Sequence, residues 1–183
     1  MTYEIAICDD EEKQRAYIKS LVERWLHQTF HHAQIREYAS SEQFLFEQAD
    51  ARTQILFLDI EMEKMDGIAL AREIRKHNRQ MQIIFVTGYM EYIQEGYDVE
   101  ALHYLLKPVS QEKTDSVLER AVERLKTADA VLFVESSGEL TRIPLHEIRY
   151  IESNRNYNII HADTDYEMRG TLSELEAKLD EAF

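Results

Sequence analysis

The sequence predicts an α/β protein in which a five-stranded parallel sheet, covered by helices on both faces, is followed by a smaller β-rich segment. Short and almost wholly apolar runs alternate with longer amphipathic stretches over the first two thirds of the 183 residues. This alternation is typical of strands buried between two layers of helices. From about Ala130 the helical stretches give way to closely spaced β-rich runs, which indicates a second architecture.

Composition favours a compact globular chain and excludes several classes of protein. The 35 acidic and 21 basic side chains give a formal net charge of -14, and 5 Gly and 2 Pro leave little room for disordered linkers. The single cysteine, Cys8, forms no intramolecular disulfide or cysteine-pair zinc site. No signal peptide opens the chain, and no apolar run reaches the ~18 residues of a membrane span, which predicts a cytoplasmic protein.

Five strands are predicted in the first segment, and most of them are short apolar runs. These strands are Tyr3–Cys8, Gln34–Ala39, Ile55–Leu58, Ile83–Val86 and His103–Leu106. A helix carrying Ile18, Leu21, Val22, Trp25 and Leu26 at three- and four-residue spacing follows the first strand, and Ser40 or Ser41 caps a second helix. The remaining predicted helices are Ile68–His77, Met90–Tyr97 and Gln111–Lys126.

The last third of the chain reads as a separate, β-rich domain. Val131–Val134 and Leu140–Ile143 flank Ser137-Gly138 in the manner of a hairpin. Further β-rich runs and a terminal helix are predicted at Ile148–Ile151, Tyr157–Ala162 and Thr171–Leu179. We therefore predict two domains, residues 1–126 and residues 130–183, with the boundary between them at residues 126–130.

Polar side chains follow four of the five strands in the first domain. Asp9 and Asp10 come after the first strand, and Asp59, Thr87 and Lys107 come after the third, fourth and fifth. In a parallel sheet of order 2-1-3-4-5 these four strands are neighbours, and ligands bind beyond their carboxyl ends. We therefore expect three carboxylates, a hydroxyl and an ammonium group to converge there.

The chemistry of this set favours phosphoryl transfer. Clustered carboxylates need a cation to stay ionised together, and Mg²⁺ is a hard cation that prefers oxygen ligands. The ion and Lys107 would stabilise the charge of a transferring phosphoryl group, and Thr87 would donate a hydrogen bond to it. Asp59 is the natural nucleophile and would form an acyl phosphate. Any one of these residues alone is more often a helix cap or a helix start, so the prediction depends on their joint occurrence.

Residues 3–126 resemble the receiver domain of two-component response regulators. The motifs that carry the resemblance are Ile7–Asp10, Leu56–Met62, Met65–Gly67, Phe85–Gly88 and Tyr104–Pro108, which stand in family order and at family spacing. The resemblance implies a flavodoxin-like (CheY-like) fold. It also implies that Asp59 accepts phosphate from the phosphohistidine of a sensor histidine kinase.

The same resemblance implies roles for the residues around Asp59. Asp10, Asp59 and the backbone carbonyl of Glu61 would bind Mg²⁺, and Asp9 would act mainly through a metal-bound water. Thr87 and Tyr104 would form a switch pair, in which the hydroxyl moves toward the phosphoryl group and the aromatic ring turns inward. The Lys107-Pro108 peptide would be cis.

Residues 130–183 resemble the first part of a LytTR output domain, the DNA-binding module of AgrA/LytR-like regulators. The supporting residues are Gly138–Leu140, Ile143–Glu152, Tyr157 and Arg169–Glu176. The family domain continues with a basic segment and further strands, so the resemblance implies an incomplete LytTR domain here. Arg149, Arg155, Asn156 and Asn158 are the candidates for contacts with phosphates or base edges.

These observations support a phosphorelay response regulator that controls transcription, with a sensor histidine kinase and promoter DNA as partners. The family also implies a phosphorylation-dependent homodimer through the fourth and fifth helices. Such a protein is not an enzyme beyond Mg²⁺-dependent phosphorylation and dephosphorylation of itself.

Two alternatives remain. A protein-binding regulator without DNA contact is favoured by the 6 basic and 12 acidic residues of 126–183. An aspartyl-nucleophile phosphatase would need a second aspartate two positions after Asp59, where Glu61 stands.

Overall fold

The computed structural model describes residues 2–47, 52–88, 99–136, 139–154 and 156–180. The chain divides into two compact units, Met1–Ala121 and Val122–Phe183. The division falls inside the helix predicted over Gln111–Lys126, a few residues before the predicted boundary, because one continuous helix contributes an end to each unit.

Among the described residues of the first unit, five strands form one parallel sheet. The strands are β1 (Thr2–Cys8), β2 (His32–Tyr38), β3 (Ile55–Asp59), β4 (Gln82–Thr87) and β5 (His103–Leu106). Their order is β2-β1-β3-β4-β5, and every neighbouring pair is parallel. The predicted fold class is confirmed. β3 and β4 are buried along their whole length, which agrees with their unbroken apolar sequences.

The helices are α1 (Glu12–Thr29), α2 (Ser41–Glu47), α3 (Gly67–Arg75) and α4 (Gln111–Asp129). Ile18, Leu21, Val22 and Trp25 of α1 are buried, as their spacing predicts. The helix predicted over Met90–Tyr97 lies outside the described residues.

The two serines at the start of α2 have different roles. The Ser40 Oγ accepts a hydrogen bond from the Gln43 backbone N–H at 3.1 Å, so Ser40 caps the helix. The Ser41 side chain is fully buried, and its Oγ donates to the Met65 carbonyl at 2.8 Å. Ser41 thereby ties the start of α2 to the loop between β3 and α3.

The second unit contains an antiparallel pair of strands, β6 (Val131–Ser136) and β7 (Glu139–Pro144). A short 3-10 helix, Leu145–Glu147, follows. An antiparallel sheet of order β10-β9-β8 is formed by β8 (Tyr150–Asn154), β9 (Tyr157–His161) and β10 (Asp165–Arg169), and α5 (Leu172–Asp180) comes last.

Two of these strands differ from the sequence prediction. The sequence pattern does not predict β10, because Tyr166 and Met168 are the sole apolar members of a short charged run. β8 begins at Tyr150 rather than Ile148, because Ile148 caps the 3-10 helix and donates its N–H back to the Leu145 carbonyl at 3.1 Å. The predicted turn at Ser137-Gly138 lies outside the described residues.

Each unit has its own hydrophobic core. In the first unit, β1, β3 and β4 supply its centre, with Ile5, Ile7, Leu56, Phe57, Ile83 and Phe85 all buried. The core of the second unit consists of Leu132, Val134, Ile143, Ile160, Ala162, Met168 and Leu175. Within the described part of the chain, no helix is both long and apolar enough to cross a membrane.

Candidate functional site

The structure brings the predicted strand-end residues together at one edge of the first sheet. β1, β3, β4 and β5 are successive neighbours, so the residues that end or follow them lie side by side. Asp9, Asp59 and Thr87 are buried, with exposed fractions of 3%, 5% and 2%. Burial of two carboxylates at the end of an apolar sheet is costly unless charged partners compensate for it.

Lys107 is that partner for both buried carboxylates. Its Nζ lies 2.9 Å from Asp9 Oδ2 and 3.1 Å from Asp59 Oδ2, and 18% of its side chain is exposed. One ammonium group therefore bridges two carboxylates that stand on different strands. The other oxygens of the two carboxylates accept backbone N–H groups, since Glu11 N lies 2.8 Å from Asp9 Oδ1 and Ile60 N lies 2.9 Å from Asp59 Oδ1.

Asp9, Asp10 and Asp59 form a cluster that could hold a metal ion. Each offers a carboxylate oxygen, and these oxygens lie within 4.8 Å of one another. Asp10 is exposed while the other two are buried, so the cluster opens toward solvent on one side. A donor set made of oxygens alone, with room for water on the open side, fits a hard cation such as Mg²⁺.

The electrostatics of Asp59 reflect its burial. Loss of solvent, followed by the negative charge of Asp9, raises the pKa of Asp59 from 3.8 to about 6, against the opposing effect of Lys107. Burial lowers the pKa of Lys107, but the hydrogen bond to Asp9 and the charges of both carboxylates together outweigh it, so the pKa of Lys107 is raised. A further positive charge beside Asp59 would therefore stabilise its ionised form.

The loop after Asp59 is packed so closely that it requires glycine at position 67. A Cβ on Gly67 would lie 2.0 Å from the Asp59 carbonyl oxygen, which is far inside van der Waals contact. The Gly67 N–H donates to the Ile60 carbonyl at 2.9 Å, and Asp66 caps α3 by accepting from the Ala69 N–H at 2.7 Å. The glycine thus allows α3 to begin directly against the strand end that carries Asp59.

This loop also lines an open pocket beside the carboxylate cluster. The pocket has a volume of about 430 Å³ and is lined by Asp10, Ile60, Glu61, Met62, Glu63, Asp66 and Ile68. Glu61, whose backbone carbonyl is a predicted metal ligand, therefore lies on the same side of the site as Asp10. Behind the loop, Cys8 Sγ lies 3.8 Å from Met62 Sδ, and burial raises the pKa of Cys8 to about 12, so its thiol is unreactive.

The predicted switch residues stand on β4, which is next to the strand of Asp59, and on β5, the strand beyond β4. Thr87 ends β4, and its carbonyl accepts the Lys107 N–H at 2.8 Å. Tyr104 lies on β5 and stacks on Phe85 of β4, with ring centroids 5.1 Å apart and an angle of 24° between the rings. The Lys107-Pro108 peptide is cis.

The residues proposed for DNA contact differ in exposure. Arg149 is mostly exposed, and its Nη2 lies 3.6 Å from Asp163 Oδ1. Asn156 is exposed in the turn between β8 and β9, whereas Arg155 lies outside the described residues. Asn158 is fully buried, and its Nδ2 donates to the Gly170 carbonyl at 2.9 Å, so it supports the second unit from within and does not reach a DNA surface in this structure.

Sequence reasoning missed two residues that shape the site. Gly67 was part of a motif, but its close approach to Asp59 has no signal in residue spacing. Arg15 had no predicted role, although its Nη1 donates to the Asp9 carbonyl at 2.6 Å. Position 15, one turn into α1 after the acidic run, was the available signal.

Two family models match the chain in the order of the two units. Residues 5–119 match the response regulator receiver domain, and residues 138–183 match the LytTr DNA-binding domain. The structure of the receiver domain of AraT from Geobacillus stearothermophilus has a TM-score of 0.60 and 28% identity. It covers 69% of this chain and 97% of that chain.

Curated relatives match nearly the whole length of the chain. The chain is 32% identical to Accessory gene regulator protein A of Staphylococcus epidermidis, over 98% of this chain and 82% of that protein. It is 27% identical to Sensory transduction protein LytT of Enterococcus faecalis, over 96% of this chain and 76% of that protein. On these matches and on the receiver fold, the chain belongs to the two-component response regulators in which a receiver domain precedes a LytTR DNA-binding domain.

Proposed function

We propose that Asp59 is the phosphoacceptor of this response regulator and takes its phosphoryl group from a sensor histidine kinase. The observation that carries the proposal is the placement of Asp59. It is a buried carboxylate with a raised pKa, 3.1 Å from Lys107 and within 4.8 Å of two further carboxylates. No apolar packing role explains so much buried charge at one strand end.

In the transfer, a carboxylate oxygen of Asp59 attacks the phosphorus of a phosphohistidine. The P–N bond breaks, a P–O bond forms, and the histidine keeps the bonding electron pair and takes up a proton. Lys107 already contacts Asp59 Oδ2, so it is placed to neutralise charge that builds on the phosphoryl oxygens. The product is an acyl phosphate on Asp59, and the same residues would support its later hydrolysis, in which water attacks phosphorus, inorganic phosphate leaves and the Asp59 carboxylate is restored.

Asp9, Asp10, Asp59 and the Glu61 carbonyl would hold Mg²⁺ at this site. When bound, the ion supplies positive charge to the phosphoryl oxygens and offsets the mutual repulsion of the carboxylates. Asp10 and Glu61 line the open pocket beside the cluster, which leaves solvent access for the waters that Mg²⁺ retains.

Thr87 and Tyr104 would report phosphorylation to the rest of the chain. Thr87 ends β4, which pairs with the strand that ends at Asp59, so its hydroxyl can donate to a phosphoryl group there. Movement of the Thr87 hydroxyl would alter the packing next to the ring of Tyr104, since Thr87 ends β4 and Tyr104 lies on β5, the strand paired with it. The two arrangements of this pair would be the switch that phosphorylation biases.

The output would be control of transcription in the cytoplasm, through promoter DNA and a phosphorylation-dependent homodimer. We keep residues 1–126 as the receiver domain and 130–183 as the first part of the LytTR domain. Arg149, Arg155 and Asn156 remain the candidates for DNA contact. The excess of acidic residues in 126–183 favours an alternative in which this segment binds a protein partner instead.

Intact-mass measurement after incubation with a small acyl phosphate and Mg²⁺ tests the acceptor. The expected result is a single phosphoryl adduct on the wild-type chain and none on Asp59→Asn. Glu63→Gln is the matched control, because Glu63 is an exposed acid beside the same pocket, and it should keep the adduct. An unchanged adduct on Asp59→Asn would refute the assignment.

Binding to promoter DNA at several salt concentrations tests the output. Loss of a phosphate contact in Arg149→Ala should weaken binding to all DNA sequences. It should also reduce the slope of log K against log salt concentration by about 1. Arg142→Ala, an exposed arginine on β7, is the comparison. Absence of any salt-dependent binding would favour the protein-binding alternative.

A further inference from the structure

Arg15 reaches from α1 to the loop that carries the candidate metal ligands. Its Nη1 donates to the Asp9 carbonyl oxygen at 2.6 Å, a short bond between a charged donor and a backbone acceptor. Arg15 is half-buried and begins the second turn of α1, where its own backbone N–H donates to the Glu11 carbonyl at 3.0 Å. The Arg15 side chain is therefore held at one end by the helix that carries it and at the other end by the hydrogen bond of its guanidinium group.

The Asp9 carbonyl belongs to the peptide group that joins Asp9 to Asp10. This stretch is held at three points, since Asp9 N–H donates to the Tyr38 carbonyl at 3.2 Å and Asp9 Oδ1 accepts the Glu11 N–H at 2.8 Å. The third point is Arg15, the one that fixes the orientation of the peptide plane ahead of Asp10. Asp10 itself is exposed, so the direction of its carboxylate depends on the backbone that carries it.

We propose that Arg15 is a positioning residue of the cation site: by holding the Asp9–Asp10 peptide, it keeps the Asp10 carboxylate directed at Asp9 and Asp59. The inference rests on the proposed function, since it assumes that the three carboxylates bind Mg²⁺. A supporting residue that orients a metal ligand commonly changes metal affinity by about 10-fold or more when it is lost.

A role of Arg15 through its charge and a role through its hydrogen bond predict opposite changes in cation binding when Arg15 is replaced. If Arg15 mattered through its positive charge alone, removal of that charge would strengthen the attraction of the site for a cation. If it matters through its hydrogen bond, removal would loosen Asp10 and weaken cation binding. Lysine separates the two, because it keeps the charge and loses the planar guanidinium group that reaches the carbonyl.

The experiment is calorimetric titration of the full chain with Mg²⁺, without any phosphodonor. Wild type, Arg15→Lys and Arg15→Met are compared with Arg24→Met, a control that removes an exposed arginine from the same helix. Both Arg15 variants should bind Mg²⁺ about 10-fold more weakly, and the control should match wild type. Urea unfolding in a chelator, followed by the fluorescence of the single tryptophan Trp25, checks that each variant is folded.

The outcomes separate this inference from the proposed function. Tighter binding by Arg15→Met with unchanged binding by Arg15→Lys would mean that charge alone acts, and would overturn the positioning role. Equal binding by all variants would overturn it as well. Absence of Mg²⁺ binding to the wild-type chain would instead refute the cation site, and the role of Arg15 with it.

Discussion

The two units of this protein bury polar groups in different ways. In the first unit the buried polar and charged side chains are Asp9, Ser41, Thr53, Asp59, Gln82, Thr87 and Thr114, whereas Asn158 is the one found among the described residues of the second. Two members of the first set are carboxylates that share one ammonium group. Asn158 is neutral, and its amide donates to two backbone carbonyls, those of Gly170 and Thr171.

The difference teaches how to separate a functional site from an architectural one. Asn158 contributes stability, since its hydrogen bonds connect β9 to the chain that leads into α5. Asp59 does the reverse, because its raised pKa means that the folded chain resists the ionised form. A buried group that makes the fold less stable needs an explanation in function, while a buried group that stabilises it does not.

The largest effect on stability is expected for Gly67→Ala, which displaces the backbone that carries Asp59. The added Cβ would lie 2.0 Å from the Asp59 carbonyl oxygen and 2.9 Å from its carbon, so the strand end or α3 must move. We expect a loss of about 4 kcal/mol in the free energy of unfolding of the receiver, at the upper end of single-residue effects. Urea unfolding followed by Trp25 fluorescence measures it.

Gly88→Ala is the matched control for that substitution. Gly88 lies just after β4, at the same carboxyl-terminal edge of the sheet as Asp59, and a Cβ there would meet nothing within 4 Å. Its unfolding free energy should stay within about 0.5 kcal/mol of wild type. Equal losses for both glycine variants would mean that the close approach at Asp59 does not constrain the fold.

The next effect is a gain in stability from Asp59→Asn in metal-free protein. The ordinary pKa of 3.8 rises to about 6 in the folded chain, so ionised Asp59 opposes folding at pH 7 by about 3 kcal/mol. The penalty is fully present above the folded pKa, shrinks as pH falls through 6, and is absent below 3.8. Chelator-treated Asp59→Asn should therefore be more stable than wild type at pH 7, with the difference vanishing near pH 4.

Asp10→Asn provides the comparison, since Asp10 belongs to the same cluster but is exposed. Its effect on metal-free stability should be small, because an exposed carboxylate keeps its solvation. A pH-independent difference between Asp59→Asn and wild type would show that the asparagine acts through packing or hydrogen bonding, and not through the charge of Asp59.

Most of the fold and the charged site could be predicted from the sequence because both depend on strongly patterned residues. β1, β3 and β4 are buried and nearly continuous apolar runs, and the polar residue that ends or follows each of them stands at a definite place in a parallel sheet. The contacts of Gly67 and Arg15 could not be predicted, since they depend on how closely a helix approaches a backbone carbonyl. Spacing in the sequence carries no information on that distance.

The second unit was harder to predict because its patterns are weaker. β10 is mostly charged, and one face of its sheet is solvated, so few apolar residues mark the strand. The sequence makes Asn158 a candidate for contact with phosphates or base edges, but its neighbours Ile159 and Ile160 do not reveal which face of the strand it occupies. The strand register settles this, since Asn158 shares the buried face with Ile160.

Asn158→Ala should destabilise the second unit by about 2 kcal/mol. The substitution leaves the Gly170 and Thr171 carbonyls without the Asn158 amide donor and opens a small cavity beside Ile160. Hydrogen exchange of peptides from residues 131–180, read by mass spectrometry, measures the change in the unit that lacks tryptophan. Asn156→Ala, in the exposed turn of the same hairpin, should change exchange little. If Asn156→Ala had the larger effect, the role assigned to buried Asn158 would be wrong.

The smallest effects are expected at the helix caps, where the two units should respond alike. Ser40 accepts one backbone N–H at the start of α2, at 3.1 Å. Thr171 and Glu174 form a reciprocal pair at the start of α5, with bonds of 3.3 Å to Thr171 Oγ1 and 2.8 Å to Glu174 Oε2. Ser40→Ala and Thr171→Ala should each cost about 1 kcal/mol, seen as faster hydrogen exchange in the first turn of α2 or α5.

Because neither cap involves a buried charge, neither loss should depend on pH between 5 and 8. A pH-dependent loss at Ser40 alone would mean that α2 is coupled to the charge of the Asp59 site, and that the contrast between the two units extends beyond their buried groups.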